Sequence, residues 1–107
     1  MPIFTVAVTI TGGLSNATVT VNNDPFELGR DDDGNISGEE NKDLPNVFPV
    51  VITVRGAVAG TKWTYDLTVD TIPAAADPVA EFKGKGKLGD NLRDSASKPD
   101  VTIKGGK

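Results

Sequence analysis

Phe4-Thr5-Val6-Ala7-Val8-Thr9-Ile10-Thr11 decides the fold class. Phe4, Val6, Val8 and Ile10 fall on one side of an extended chain, and Thr5, Ala7, Thr9 and Thr11 fall on the other. Alternation with period two sets one face on a core and the other in water, the pattern of a half-buried β-strand. A helix would need apolar residues three and four apart. It would also lose side-chain freedom at so many β-branched positions.

The same reading extends outward. Gly12-Gly13-Leu14-Ser15-Asn16 breaks the first strand, and a second turns Ala17, Val19 and Val21 inward. Asn22-Asn23-Asp24-Pro25 is a turn cluster of residues that tolerate tight backbone geometry. Phe26 and Leu28 make a short third strand. Phe48, Val50, Ile52 and Val54 share one face of a fourth, which Pro49 confines to an edge or to a start near Val50. Trp63, Tyr65, Leu67 and Val69 share the inward face of a fifth. The fourth and fifth strands, joined through Gly56 to Gly60, read as a hairpin. Ala80 and Phe82 face inward from a sixth strand over residues 79–88, and Val101 and Ile103 suggest a short seventh. Between them lie two polar stretches, 29–46 and 89–100, which read as long loops.

The composition agrees. Twelve valines and 11 threonines suit pleated sheets, and 12 glycines with seven prolines supply turns. A chain of 107 residues is one domain by length, spanning 1–107. The expectation is an all-β, small antiparallel two-sheet sandwich of about seven strands, with a small β-barrel as the alternative. Trp63 in a strong mid-chain strand resembles the buried tryptophan of immunoglobulin-like sheets, a likeness of architecture without the flanking cysteines.

Several function classes are excluded outright. The chain has no cysteine and no histidine, so it carries no disulfide, thiolate site, imidazole metal ligand or Ser-His-Asp triad. Asp66 and Asp70 share a wet face, but about 13 Å separates positions four apart on a strand, too far for a glycosidase pair. No enzyme is expected. The formal net charge of −4 disfavours nucleic acid, whose phosphates need a dense basic face. No apolar run reaches the roughly 20 residues of a membrane span. The opening Met1-Pro2-Ile3-Phe4 shows no leader pattern, which leaves two settings open: cytoplasmic, or extracellular as a mature chain.

The charge is uneven, and that is informative. Residues 27–43 carry a net −5 and residues 79–107 a net +3. In the acidic stretch, Asp31-Asp32-Asp33-Gly34-Asn35-Ile36-Ser37-Gly38-Glu39-Glu40 resembles the calcium loop of the EF-hand and dockerin families over about a dozen residues. The resemblance implies Asp31, Asp33, Ser37 and Glu40 as Ca²⁺ ligands, with Gly34 at the sharp turn. Gly29 stands where that pattern begins with an acid, and no amphipathic helix flanks the loop. The plainer reading is a solvated acidic loop.

In the basic stretch, Gly84-Lys85-Gly86-Lys87-Leu88-Gly89 matches a dinucleotide-binding string, but neither the helix nor the βαβ setting that the string requires is present. Lys83, Lys85 and Lys87 read instead as a wet edge strand, or as a stripe that binds an anionic partner. Trp63 and Tyr65 would form a sugar platform if exposed, and their shared face with Leu67 and Val69 favours burial. The sequons Asn16-Ala17-Thr18 and Asn35-Ile36-Ser37 are treated as chance.

The expected function is a non-catalytic module that binds a protein or carbohydrate through its long loops, with calcium ordering the first. The alternative is an assembly domain, a homo-oligomer built from acidic-loop to lysine-stripe contacts.

Overall fold

The computed structural model describes residues 3–32, 34–72 and 77–103. Among these residues are nine strands and no helix: β1 (Ile3–Thr11), β2 (Asn16–Val21), β3 (Asp24–Phe26), β4 (Gly29–Arg30), β5 (Ile36–Asp43), β6 (Val47–Arg55), β7 (Lys62–Asp70), β8 (Ala80–Lys87) and β9 (Arg93–Thr102). They form two antiparallel sheets, ordered β4-β5-β1-β7-β8 and β3-β2-β6-β9. Neither sheet closes into a barrel, so the molecule is a small two-sheet sandwich.

The inward halves of the strands behave as their alternation dictates. Val6, Val8 and Ile10 of β1, Val19 and Val21 of β2, Val50, Ile52 and Val54 of β6, and Trp63, Leu67 and Val69 of β7 are all buried in one core. Among the described residues no polar or charged residue is buried with them. Asn22 and Asn23, at φ 53° and 67°, make the two-residue turn between β2 and β3, the left-handed pair that matches strand twist.

Three expectations are corrected. The first is the hairpin over 47–70. β6 and β7 lie in different sheets, with their apolar faces opposed across the core. Alternation reports which face is buried; it does not report whether two strands pair by hydrogen bonds or face each other. The intervening residues step between the sheets, tied by Gly56 N–H to Leu92 O at 3.0 Å and Gly60 N–H to Leu88 O at 3.0 Å.

The second is the long loop at 29–46. Its second half is β5, paired along its length with β1, from Ile3 opposite Asp43 to Ile10 opposite Ile36. Only Ile36 of its inward positions is apolar and buried. Glu40 and Lys42, also inward, sit at the rim. The Glu40 Oε2 accepts the Glu27 N–H, and Lys42 Nζ lies 5.7 Å over the Phe26 ring. Long charged side chains cover a sheet edge with their stems and keep their heads wet, which erases the alternation.

The third is the loop at 89–100. Residues 93–102 are β9, the edge partner of β6. Before Val101 only Ala96 of its side chains packs against the core, and β6's open backbone edge organises it. Pro49 sits within β6, between β2 and β9, where the β9 register shifts between Phe48 and Val50. A proline is tolerated there because the irregularity removes the need for its N–H.

Candidate interaction surface

Residues opposite one another in an antiparallel pair point to the same face. The register therefore lays out the outer face of the five-stranded sheet row by row. Asp43 stands opposite Ile3 at one end. The next row is Asn41, Thr5 and Asp70, and the next Glu39, Ala7, Thr68 and Glu81. Then come Ser37, Thr9, Asp66 and Lys83, followed by Thr11, Thr64 and Lys85. Lys62 opposite Lys87 closes the other end. Rows lie roughly 7 Å apart and strands roughly 5 Å apart. One end of this face thus begins with an acid and the other ends on two lysines, and the rows between mix small Ala, Ser and Thr side chains with Glu39, Glu81, Asp66 and Lys83. Hydroxyl contacts knit the middle: Thr5 to Asn41 at 3.0 Å, and Thr11 to Thr64.

At the basic end Lys62 and Lys87 are in direct register, with Lys85 one row away. Like charges placed directly opposite destabilise a sheet. Among the described residues no carboxylate lies within ion-pair distance of these three lysines. With Trp63, Thr64 and Gly86 they line a depression of about 420 Å³. Lys83 is set apart from them. It pairs with Glu81 at 2.9 Å, and that hydrogen bond, with the charges of Glu81 and Asp66, holds its ammonium above the usual lysine value. At the acidic end a depression of about 300 Å³ is floored by Ala7 and walled by Glu39, Asp70 and Ile72.

Among the described residues the sequence-predicted calcium ligands Ser37 and Glu40 are not brought together. Asp31 Oδ1 accepts the Asn35 N–H at 2.9 Å and closes the turn between β4 and β5. Ser37, opposite Thr9, points outward, whereas Glu40, opposite Val6, points toward the core side. Asp33 lies outside the described residues. Arg30 holds this turn to its neighbours, donating to the carbonyls of Leu14 at 2.9 Å, Ser15 at 2.8 Å and Gly34 at 3.1 Å. Among the described residues no group of three acidic side chains gathers as a metal site.

The glycines of the dinucleotide-like string have a packing role. Gly86 lies opposite Trp63, and Gly84 opposite Tyr65. A Cβ on Gly86 would come within 2.6 Å of the indole nitrogen, and one on Gly84 within 2.5 Å of the Tyr65 hydroxyl. Each aromatic ring therefore covers a glycine across the strand pair, the arrangement that restores packing to glycine-bearing edges. Trp63 is 1% exposed, so it offers no sugar platform. Its Nε1–H donates to Asp94 Oδ2 at 2.9 Å. The same carboxylate accepts the N–H groups of Lys87 at 3.1 Å and Ser95 at 2.8 Å. Asp94 thus latches β7 and β8 of one sheet to β9 of the other. Burial pushes this carboxyl upward, the Trp63, Ser95 and Lys87 hydrogen bonds oppose it, and the net position is below the usual carboxylate range.

Sequence reasoning found Lys85 and Lys87 but missed Lys62, because only the β7–β8 register brings it beside them. It also missed Glu39 and Asp70 as parts of one face. Comparison with family models, curated proteins and solved structures finds no match for this chain.

Proposed function

We propose that this chain is a non-catalytic binding module that meets a protein partner through the outer face of its five-stranded sheet. The group of Lys62, Lys85 and Lys87 carries the reading. Lys62 and Lys87 held in register, with Lys85 one row away, cost folding free energy, and an acidic surface brought against them would offset that cost. The face favours a protein over a sugar, since its register rows hold no aromatic side chain. It also favours a broad contact over a small ligand, since its depressions are partly open to solvent, unlike an enclosed pocket. This reading puts recognition on a sheet face, whereas the sequence alone led us to expect it in the loops.

The test is fluorescence anisotropy of a labelled glutamate-rich peptide at low ionic strength. The peptide should bind the wild-type chain, and binding should fade as the screening length shrinks to about 8 Å at physiological salt. The variant Lys62→Gln/Lys85→Gln/Lys87→Gln should lose it, and Arg55→Gln/Arg93→Gln, on the other sheet, should retain it. Equal binding by both variants would refute the assignment.

A further inference from the structure

We infer that the group seated among Lys62, Thr64, Lys85 and Lys87 is a phosphate monoester carried by a polypeptide partner. The inference rests on the reading of the outer face as a binding surface, and adds the chemistry of what the lysines hold.

The seat follows from the register. Lys62 stands opposite Lys87 and Thr64 opposite Lys85, in two successive outward rows of β7 and β8. Directly opposite Cβ atoms lie about 5 Å apart, and successive outward rows about 7 Å apart. Three ammonium groups and a hydroxyl therefore leave from the corners of a rectangle of about 5 by 7 Å. Between the two rows comes the pair Trp63 and Gly86, which belongs to the inward face. Trp63 is buried and Gly86 has no side chain, so neither position raises a group into the centre. The depression there, about 420 Å³, is within the roughly 300–1,000 Å³ of ligand sites. The Thr64 hydroxyl is hydrogen-bonded to Thr11, and with Thr11 donating, its own proton is left for an oxygen in the seat.

Charge selects the occupant. Elsewhere on this face a lysine meets acids of its own chain: Lys83 pairs with Glu81 at 2.9 Å and stands opposite Asp66. Lys62, Lys85 and Lys87 have no such carboxylate among the described residues. Asp94, behind them on β9, is turned to the N–H groups of Trp63, Lys87 and Ser95. A carboxylate brought to the seat supplies one charge and two oxygens in a plane. A phosphate monoester supplies nearly two charges at neutral pH and three strong acceptor oxygens, one for each ammonium group. The carrier is a polypeptide because the neighbouring rows hold Asp66, Glu81 and Glu39. These repel a continuous polyanion such as nucleic acid, whereas a peptide with one phosphate brings its charge to the seat alone.

Fluorescence anisotropy on the full chain tests this with three labelled peptides that differ at one position: phosphoserine, glutamate or serine. At low ionic strength the phosphoserine peptide should bind at least about tenfold tighter than the glutamate peptide, the worth of about two added exposed pairs. Inorganic phosphate should displace it. Its affinity should rise between about pH 5 and pH 7, through the second phosphate ionisation near 6. The charged groups about the seat are the three lysines and Asp94, and the chain has no histidine, the side chain that ordinarily titrates in that range, so the rise reports the phosphate. Lys85→Gln, at an exposed position, should weaken the preference for phosphoserine, and Lys62→Gln/Lys85→Gln/Lys87→Gln should abolish it. Lys83→Gln should leave it, since that ammonium is already paired. Equal binding of the phosphoserine and glutamate peptides, or a flat pH profile, would overturn the phosphate inference and leave the binding-module reading standing. Tighter binding of a DNA oligonucleotide of equal charge would overturn the polypeptide carrier. No binding of any of these ligands would remove both readings.

Discussion

The two outer faces of the sandwich differ although their strands follow one rule. In both sheets alternate residues enter a shared core, and the rest point to water. The four-stranded sheet presents rows of Thr18, Thr53 and Ser95, then Thr20, Val51 and Ser97, with Arg55 opposite Arg93 at one end. The named rows hold hydroxyls, the exposed Val51 and one sign of charge. The five-stranded sheet presents both signs, with Asp43 at one end, Lys62 and Lys87 at the other, and both signs in the rows between. The inward half of an alternating pattern specifies the sandwich, and the outward half is left free to specify what the sandwich meets.

Three perturbations break or sharpen this contrast, taken from the largest effect down. Trp63→Ala should act on both faces at once, because the indole is core to one sheet and bonded to Asp94 of the other. A loss of about 3–5 kcal/mol is expected for a buried tryptophan, read as the shift in urea midpoint.

Asp94→Ala should cost about 1–3 kcal/mol by leaving the indole N–H without an acceptor. It should also change the pH profile. The folded carboxyl is held below its ordinary value, so its contribution is fully present above the unfolded value of 3.8 and is lost as pH falls through the folded one. Melting temperatures from neutrality into strong acid should therefore drop less steeply at the acidic end in the variant. Equal slopes would mean the latch carries no linkage.

The smallest effect separates the faces most cleanly. Lys62→Gln should raise stability by about 0.2–1 kcal/mol at low salt, since it relieves a like-charge pair with Lys87. The gain should vanish at high salt. Thermal melts at two ionic strengths decide this, and destabilisation at low salt would mean that Lys62 makes a favourable contact within the chain.

How much of this was legible in the sequence follows from where each strand lies. β1, β2, β6 and β7 touch the core along most of their length, so Val and Ile at every second position announce them. β5 and β9 are polar strands whose hydrogen bonds come from better-marked neighbours. Ile36 is buried at the start of β5 and Val101 near the end of β9, too few to set a period. Strand pairing was hidden as well, because Phe48 to Val54 and Trp63 to Val69 show the same alternation whether they pair or oppose. At the site, Lys85 and Lys87 were visible as a stripe, but their grouping with Lys62 needs the register. The acidic run suggested a single cluster, yet a strand turns successive side chains to opposite faces. Ser37 and Glu40, three apart on β5, part company for that reason. Gly84 and Gly86 looked like a phosphate motif because a sequence does not print the aromatic rings that lie over them.

The central claim is that recognition uses the outer face of the five-stranded sheet. Amide chemical shifts followed by NMR during titration with a glutamate-rich peptide at low salt test it residue by residue. The account predicts shifts centred on Lys62, Thr64, Lys85 and Lys87, with Thr18, Thr53 and Ser95 unmoved. Shifts centred on Arg55 and Arg93, or on the turn at residues 31–35, would contradict it.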